Sequence, residues 1–286
     1  MDVALATSAA LPGLSSDDRL LLLALLDAGV KAVPAVWEDP HCDWSAARAC
    51  VVRSVWDYAY RRDAFLAWAR RVARSTALWN SATVIEWNTH KRYLTELAAQ
   101  GVPVVPTVQL PAGTAVRLEA VLADRGWERA VLKAAVAQTG RYLKSVEAGA
   151  CADGQRHLDR LLPHEDMLVQ PYLPSIETSG EISLVFIDGE LSHAVRKRAA
   201  TGDFRVHDDF GGTVHLEQPC EAEVTVAHRA LGTVDEPLLY ARVDLVRDET
   251  GAPVVMELEL VEPDLFFRCV PESAERLAAA VVRRLG

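Results

Sequence analysis

Apolar residues recur along this chain in short blocks at two spacings, and the spacing separates strands from helices. Residues 2–7, 30–37 and 49–55 read as strands. Ser15, Ser16, Asp17 and Asp18 can cap a helix running to Ala28 with Gly29 as its stop, and a second helix spans 61–74. Strand alternating with helix predicts a small parallel sheet whose ligand crevice lies beyond the carboxyl ends of its strands. From about Asn80 the pattern changes. It predicts a helix over 89–99 ending at Gly101, and a strand over 102–110 interrupted by Pro103 and Pro106. A helix over 117–125, a strand over 130–136, a turn at Thr139-Gly140 and a strand over 141–146 follow, then a helix through 157–162 and a strand over 167–172. A third unit opens with a hairpin, 181–186 and 191–196, turning at the strong hairpin dipeptide Asp188-Gly189. A polar stretch from Ala199 to Gly212, a helix over 222–231, another hairpin and a terminal helix from Glu272 complete the chain. The fold class is α/β with α+β lobes, divided at 1–79, 80–172 and 173–286.

The second hairpin carries the chemistry. Ala241-Arg242-Val243-Asp244-Leu245-Val246 and Val255-Met256-Glu257-Leu258-Glu259-Leu260 flank the turn-forming Asp248-Glu249-Thr250-Gly251. Side chains alternate along a strand, so Glu257 and Glu259 share one face while Leu258 and Leu260 take the other. Arg242 and Asp244 share a face of the partner strand. A register pairing 244 with 257 would gather three carboxylates, and the sequence leaves that register open. Gathered acids repel one another unless a cation sits among them, and oxygen ligands suit Mg²⁺ rather than zinc. A solvated acidic strand face is the competing reading.

Composition narrows the choices. The 286 residues carry a formal charge of −10, with a pI near 5.3, which argues against non-specific nucleic-acid binding while leaving room for a local basic pocket. Five scattered cysteines form no CxxC pair, which favours a reducing cytoplasm over a disulfide framework. The longest apolar run, 20–26, is too short to span a bilayer, so no membrane partner is expected.

Several basic positions stand out. Lys133 interrupts an apolar strand and needs an anionic partner there, either a carboxylate or a nucleotide phosphate. The turn Gln138-Thr139-Gly140-Arg141 could cover phosphates with backbone N–H groups or be a plain hairpin turn. Lys91 could be any helix lysine. Arg53-Ser54-Val55-Trp56-Asp57-Tyr58 falls at a strand end, where it is either a packed cluster with an incidental Arg–Asp pair or a substrate contact. Arg196, Lys197, Arg198 and Arg205 surround the stretch from Ala199 to Gly212, whose glycines suggest a mobile lid, although a solvated patch is equally open. No catalytic triad, HExxH or Walker motif is present.

Taken in order, these positions resemble the ATP-grasp superfamily of carboxylate–amine ligases over about residues 80–286, with the first 80 resembling the domain that precedes it. The most specific element is Arg242-x-Asp244 followed by Glu257-x-Glu259 and Glu262-Pro263. The resemblance implies an ATP-grasp fold behind a small parallel-sheet domain, with ATP and two Mg²⁺ ions as cofactors. It implies Asp244, Glu257 and Glu259 as metal ligands, where D-alanine–D-alanine ligases carry Asn in place of Glu259, and Arg242 and Arg205 as the groups steadying the phosphoryl group or acyl phosphate. By the same resemblance Lys91, Lys133, Thr139 and Gly140 bind phosphates, Gln170, Tyr172 and Leu173 frame adenine, Glu177 holds the ribose, and Lys197 reaches the nucleotide from the other lobe. Arg53, Asp57 and Glu262 are candidates for an amino-acid-like substrate. Arg53 to Tyr58, Leu78-Trp79-Asn80, Trp87-Asn88, Gly202-Asp203-Phe204-Arg205-Val206 and Glu257 to Pro263 resemble the small branch whose cyclo-ligase closes O-ureido-D-serine to D-cycloserine. An intermolecular amino-acid or peptide ligase, or a nucleotide-binding protein without turnover, are the alternatives, and a homodimer is a candidate assembly.

Overall fold

A computed structural model describes residues 1–138, 140–200, 205 and 211–286. The N-terminal alternation builds β1 (Val3–Thr7), α1 (Ser16–Asp27), β2 (Ala32–Val36), β3 (Ala49–Val52), α2 (Arg62–Val72) and β4 (Ala77–Trp79). The strands are parallel in the order β2-β1-β3-β4. β1 is buried along its whole length, as a central parallel strand must be. Ser15 caps α1 by accepting the Asp18 N–H at 3.0 Å.

The expected helix over 89–99 is two helices, α3 (Ala82–Asn88) and α4 (Tyr93–Ala99). Between them the chain turns so that the Lys91 N–H donates to the Ala135 carbonyl at 2.8 Å, a tertiary bond that a continuous helix would forgo. β5 (Val108–Leu110), α5 (Leu118–Arg125), β6 (Arg129–Ala134), β7 (Lys144–Glu147), α6 (Ala152–Leu161) and β8 (Met167–Pro171) follow, and their strands form an antiparallel sheet in the order β5-β8-β6-β7. Within the stretch expected as a strand over 102–110, only 108–110 pair in this sheet. Pro103 and Pro106 have no N–H to give a ladder, and Val104 makes an isolated bridge to Val255 instead.

The short α7 (Ser175–Thr178) leads to β9 (Glu181–Ile187), β10 (Glu190–Arg198), β11 (Thr213–Glu217), α8 (Glu221–Leu231), β12 (Tyr240–Arg247), β13 (Pro253–Glu259) and α9 (Glu272–Leu285). The five strands run antiparallel in the order β11-β10-β9-β12-β13. Asp188 and Gly189 both take positive φ, 52° and 86°, the geometry a two-residue hairpin turn requires. β11, absent from the sequence reading, is a largely exposed edge strand with little apolar signal. Val84, Tyr93, Leu94 and Leu97 from α3 and α4 pack on this sheet with Ile182, Leu184, Val243 and Leu258, so one face of the acidic hairpin is core. Among the described residues no helix is long and apolar enough to cross a membrane.

Candidate active site

The other face of that hairpin lines a cavity of about 550 Å³ walled by residues from the start of α1, the segment after β3, α3–α4, both antiparallel sheets and the segment after β13. Register decides what it contains. Arg242 pairs with Glu259 and Asp244 with Glu257, and the ladder slips immediately afterwards, with Leu245 opposite Val255. The slip is a bulge at Met256. Met256 and Glu257 both line the cavity in consequence, while Val243, Leu245 and Val255 stay in the core.

β13 is held from outside by side chains on the helices behind it. The Asn88 amide donates to the Leu258 carbonyl at 2.9 Å, and its oxygen accepts the Leu260 N–H at 2.8 Å. The Tyr93 hydroxyl accepts the Leu258 N–H at 3.1 Å. Asn80 does the same for the strand ends, donating to Tyr240 and Leu260 carbonyls and accepting from the Leu239 N–H. Asn80 and Asn88 entered the sequence reading only as marks of resemblance; their work as braces of the acidic strand needs partners more than 150 residues away, which no local pattern reveals.

The gathered acids are compensated mainly by side chains. Arg242 grips Asp244 with two bonds of 2.9 and 2.8 Å and reaches Glu259 at 2.5 Å. Lys197 lies 3.1 Å from Asp244 and also pairs with Glu181, while Ser183 donates to Asp244 at 2.6 Å. Lys91 meets Glu257 at 2.5 Å. Among the described residues no three acidic, histidine or cysteine side chains stand ready as a metal cage. The cations that the gathered acids Asp244, Glu257 and Glu259 need are thus supplied in part by Arg242, Lys197 and Lys91.

They do not complete the compensation. Burial opposes ionisation throughout, but Arg242 and Lys197 still hold the Asp244 carboxyl well below its usual range, and Lys91 and Lys133 lower Glu257. At Glu259 burial prevails with help from Glu257 and Asp244 and pushes the carboxyl up to about 8. Burial likewise pushes Glu262 up to about 7. Under-compensated oxygen donors beside Glu257 and Asp244 fit a hard divalent cation.

The nucleotide side has its own unfilled partners. The Lys133 ammonium is in the cavity wall with the Met256 sulfur at 3.1 Å, and no described carboxylate pairs with it; burial lowers its pKa. Gln170 is 1 % exposed; its amide nitrogen donates to Thr107 at 2.9 Å and its buried oxygen has no partner. A cavity-wall cation without an ion-paired carboxylate and a buried acceptor without a donor suit phosphate and the amino group of a purine.

Of the residues singled out from sequence, Lys91, Lys133, Gly140, Gln170, Tyr172, Leu173, Lys197, Arg205, Arg242, Asp244, Glu257, Glu259 and Glu262 line this one cavity. Thr139 and most of the stretch from Ala199 to Gly212, including the 202–206 motif apart from Arg205, lie outside the described residues, so the lid expectation does too. Glu177 is not in the lining; it accepts from the Tyr172 hydroxyl. Arg53 and Asp57 do not line the cavity either. Arg53 is 1 % exposed, paired with Asp18 at 2.8 Å and donating to the Pro263 carbonyl at 2.6 Å, so it ties α1 to the segment after β13. Asp57 accepts from the Trp37 indole at 3.1 Å and pairs with Arg61. From the same motif, Trp56 and Tyr58 face the cavity instead.

Residues 3–80 match the family described as the N-terminal domain of D-cycloserine synthetase DcsG. The chain is 36 % identical to the cycloserine biosynthesis protein DcsG of Streptomyces lavendulae, with 99 % of this chain and 98 % of that protein covered. The chain belongs to the D-cycloserine synthetase family. The crystal structure of D-cycloserine synthetase DcsG superposes with a TM-score of 0.91 at 34 % identity, covering all of both chains. An ATP-grasp RimK-domain protein from Sphaerobacter thermophilus matches with a TM-score of 0.71 at 19 % identity over 99 % of this chain and 98 % of that one, which shows the shared fold. The family is one of ATP-grasp fold, and its members are ATP-dependent carboxylate–amine ligases.

Proposed function

We propose that the protein uses ATP and Mg²⁺ to activate the carboxylate of an amino-acid substrate and closes that substrate into a ring, taking O-ureido-D-serine to D-cycloserine. The observation that carries the nucleotide part is Lys133, a half-buried ammonium in the cavity wall that makes no ion pair with a described carboxylate. The relatives named above support the ring-closing part. Residues 1–79 supply the substrate wall, and 80–172 and 173–286 the two lobes around the nucleotide.

A substrate carboxylate oxygen attacks the γ-phosphorus of ATP, the bond from that phosphorus to the bridging oxygen breaks, and ADP leaves. A substrate nitrogen then attacks the acyl carbon and inorganic phosphate departs; to reach D-cycloserine the carbamoyl group on that nitrogen is cleaved by water and leaves as carbamic acid, which falls to carbon dioxide and ammonia. The protein's part is positioning and charge. Lys91, Lys133 and the backbone at Thr139 and Gly140 hold phosphate oxygens. Gln170, Tyr172 and Leu173 frame the base, with Lys197 reaching in from β10. Asp244, Glu257 and Glu259 would hold two Mg²⁺ ions, which would neutralise charge on the transferred group. Arg242 and Arg205 stabilise the phosphoryl group and acyl phosphate, and Glu262 faces the substrate. No side chain serves as nucleophile. The setting is the cytoplasm, with a homodimer as the candidate assembly.

The test is ADP release with ATP and Mg²⁺ over D- and L-amino acids and their O-ureido derivatives, with products identified by mass. A cyclic product from a single substrate molecule is expected. A bimolecular condensation product would make the protein an intermolecular ligase, and ADP release with none of the panel would overturn the reading.

A further inference from the structure

The turn between β6 and β7 carries two buried polar atoms that nothing in the protein satisfies. Gln138 and Arg141 both line the cavity, and the turn is closed by the Arg141 N–H donating to the Gln138 carbonyl at 3.0 Å. The Gln138 amide nitrogen donates to Glu262. The amide oxygen is left buried without a donor. Arg141 is fixed just as firmly. Its terminal nitrogens donate to Glu165 at 2.6 Å, to the Tyr142 hydroxyl at 3.2 Å and to the Ala59 carbonyl at 3.4 Å, and its guanidinium lies over the Tyr60 and Tyr142 rings. The Arg141 Nε is left buried without an acceptor. Gly140 and Tyr142, the neighbours of Arg141, both take left-handed backbone conformations, with φ of 67° and 60°. A non-glycine residue so held, as Tyr142 is beside Arg141, marks a conformation the surroundings impose.

One orphan accepts and the other donates, and that pairing selects a ligand class. An anionic group offers only acceptors and would leave the Gln138 oxygen unsatisfied. An ammonium offers only donors and would leave the Arg141 Nε unsatisfied. A planar uncharged group that presents both N–H and C=O satisfies both. We propose that Gln138 and Arg141 form the receptor for a carbamoyl or carboxamide group of the substrate, Gln138 accepting its N–H and Arg141 donating to its carbonyl oxygen. Trp56 and Tyr58 line the same cavity and supply aromatic surface for a planar group. This assignment rests on the amino-acid-ligase reading and deepens it by naming the residues that recognise the urea end of the substrate.

Calorimetric titration of the full-length protein with ADP and Mg²⁺ present measures binding without turnover. The probes are O-ureido-D-serine and O-amino-D-serine, which share the amino-acid part and differ by the carbamoyl group. The native protein should bind the ureido compound at least about tenfold more tightly, the scale of a site left with unpaired buried groups by the smaller ligand. Gln138→Met and, independently, Arg141→Lys should each erase most of that preference while leaving affinity for O-amino-D-serine within about twofold. No preference in the native protein, binding of neither probe, or equal losses for both probes in both variants would overturn the receptor. If the preference is present and lost in the variants while the turnover panel releases no ADP, the ligase reading fails and the receptor stands.

Discussion

Asp244 and Glu257 stand directly opposite one another across the β12–β13 ladder, and the register slips on the very next pair. That placement puts both carboxylates on the cavity face, with Glu257 held by Lys91 at 2.5 Å and Asp244 by Arg242 and Lys197. The two acids are thus fixed before any nucleotide arrives, which is the condition for electrostatic preorganisation.

Glu257→Gln keeps the volume and a hydrogen-bond acceptor for Lys91 but removes the charge. Mg²⁺-dependent ADP release should fall by roughly 10² to 10³-fold or more, the scale of losing one preorganised charge contact. Thermal unfolding monitored by circular dichroism should remain cooperative. Native-like turnover in this variant would remove Glu257 from the metal site.

Lys133 is expected to act in opposite directions with and without nucleotide. Lys133→Ala should weaken ATP binding in calorimetry by roughly 2 to 5 kcal/mol, the scale of losing one partner of a buried charge pair. Lys133→Met should leave the ligand-free Tm unchanged or higher, because it removes a half-buried ammonium whose hydrogen bond is to a thioether. A variant that loses stability and keeps its ATP affinity would make Lys133 a structural residue.

Asn88→Ala should lower stability by roughly 2 to 4 kcal/mol in urea unfolding, since it strands the buried Leu258 carbonyl and Leu260 N–H at once. Those two residues alternate with Glu257 and Glu259, so kcat should drop as well, although Asn88 carries no charge. Unchanged stability would show that the strand is braced elsewhere.

Asp17 gives a pH signature. Burial and the neighbouring Asp264 raise its carboxyl from 3.8 to about 6, against the opposing pull of the Phe267 and Arg268 N–H groups. The native state therefore keeps a proton that the unfolded chain has already lost, and this group's contribution to stability declines as pH rises from about 4 to 6. The decline is at most about 3 kcal/mol. Asp17→Asn should flatten the stability profile in that window. A native and a variant profile of the same slope would contradict the assignment.

Local chemistry was sufficient for a good deal of this molecule. Asp188-Gly189 specified its turn because the backbone there needs two positive φ angles, and Ser15 specified the start of α1 because its hydroxyl satisfies a nearby N–H. Strict alternation separated Val243 and Leu258 from Asp244, Glu257 and Glu259, since successive strand residues face opposite ways whatever surrounds them. Tertiary structure decided the rest. The slip at Met256 depends on how β13 meets β12, and side-chain alternation is compatible with more than one register. The break between α3 and α4 depends on the Ala135 carbonyl, 44 positions beyond Lys91. Arg53 looked available for substrate because its partner is Asp18, on a helix 35 residues away that only the adjacency of β1 and β3 brings alongside. Sequence determines which side chains carry charge and which way a strand alternates. Which charges meet, and which buried donors and acceptors are left over for a ligand, is settled by long-range packing, because a hydrogen bond depends on a few tenths of an ångström and chain proximity says nothing about that.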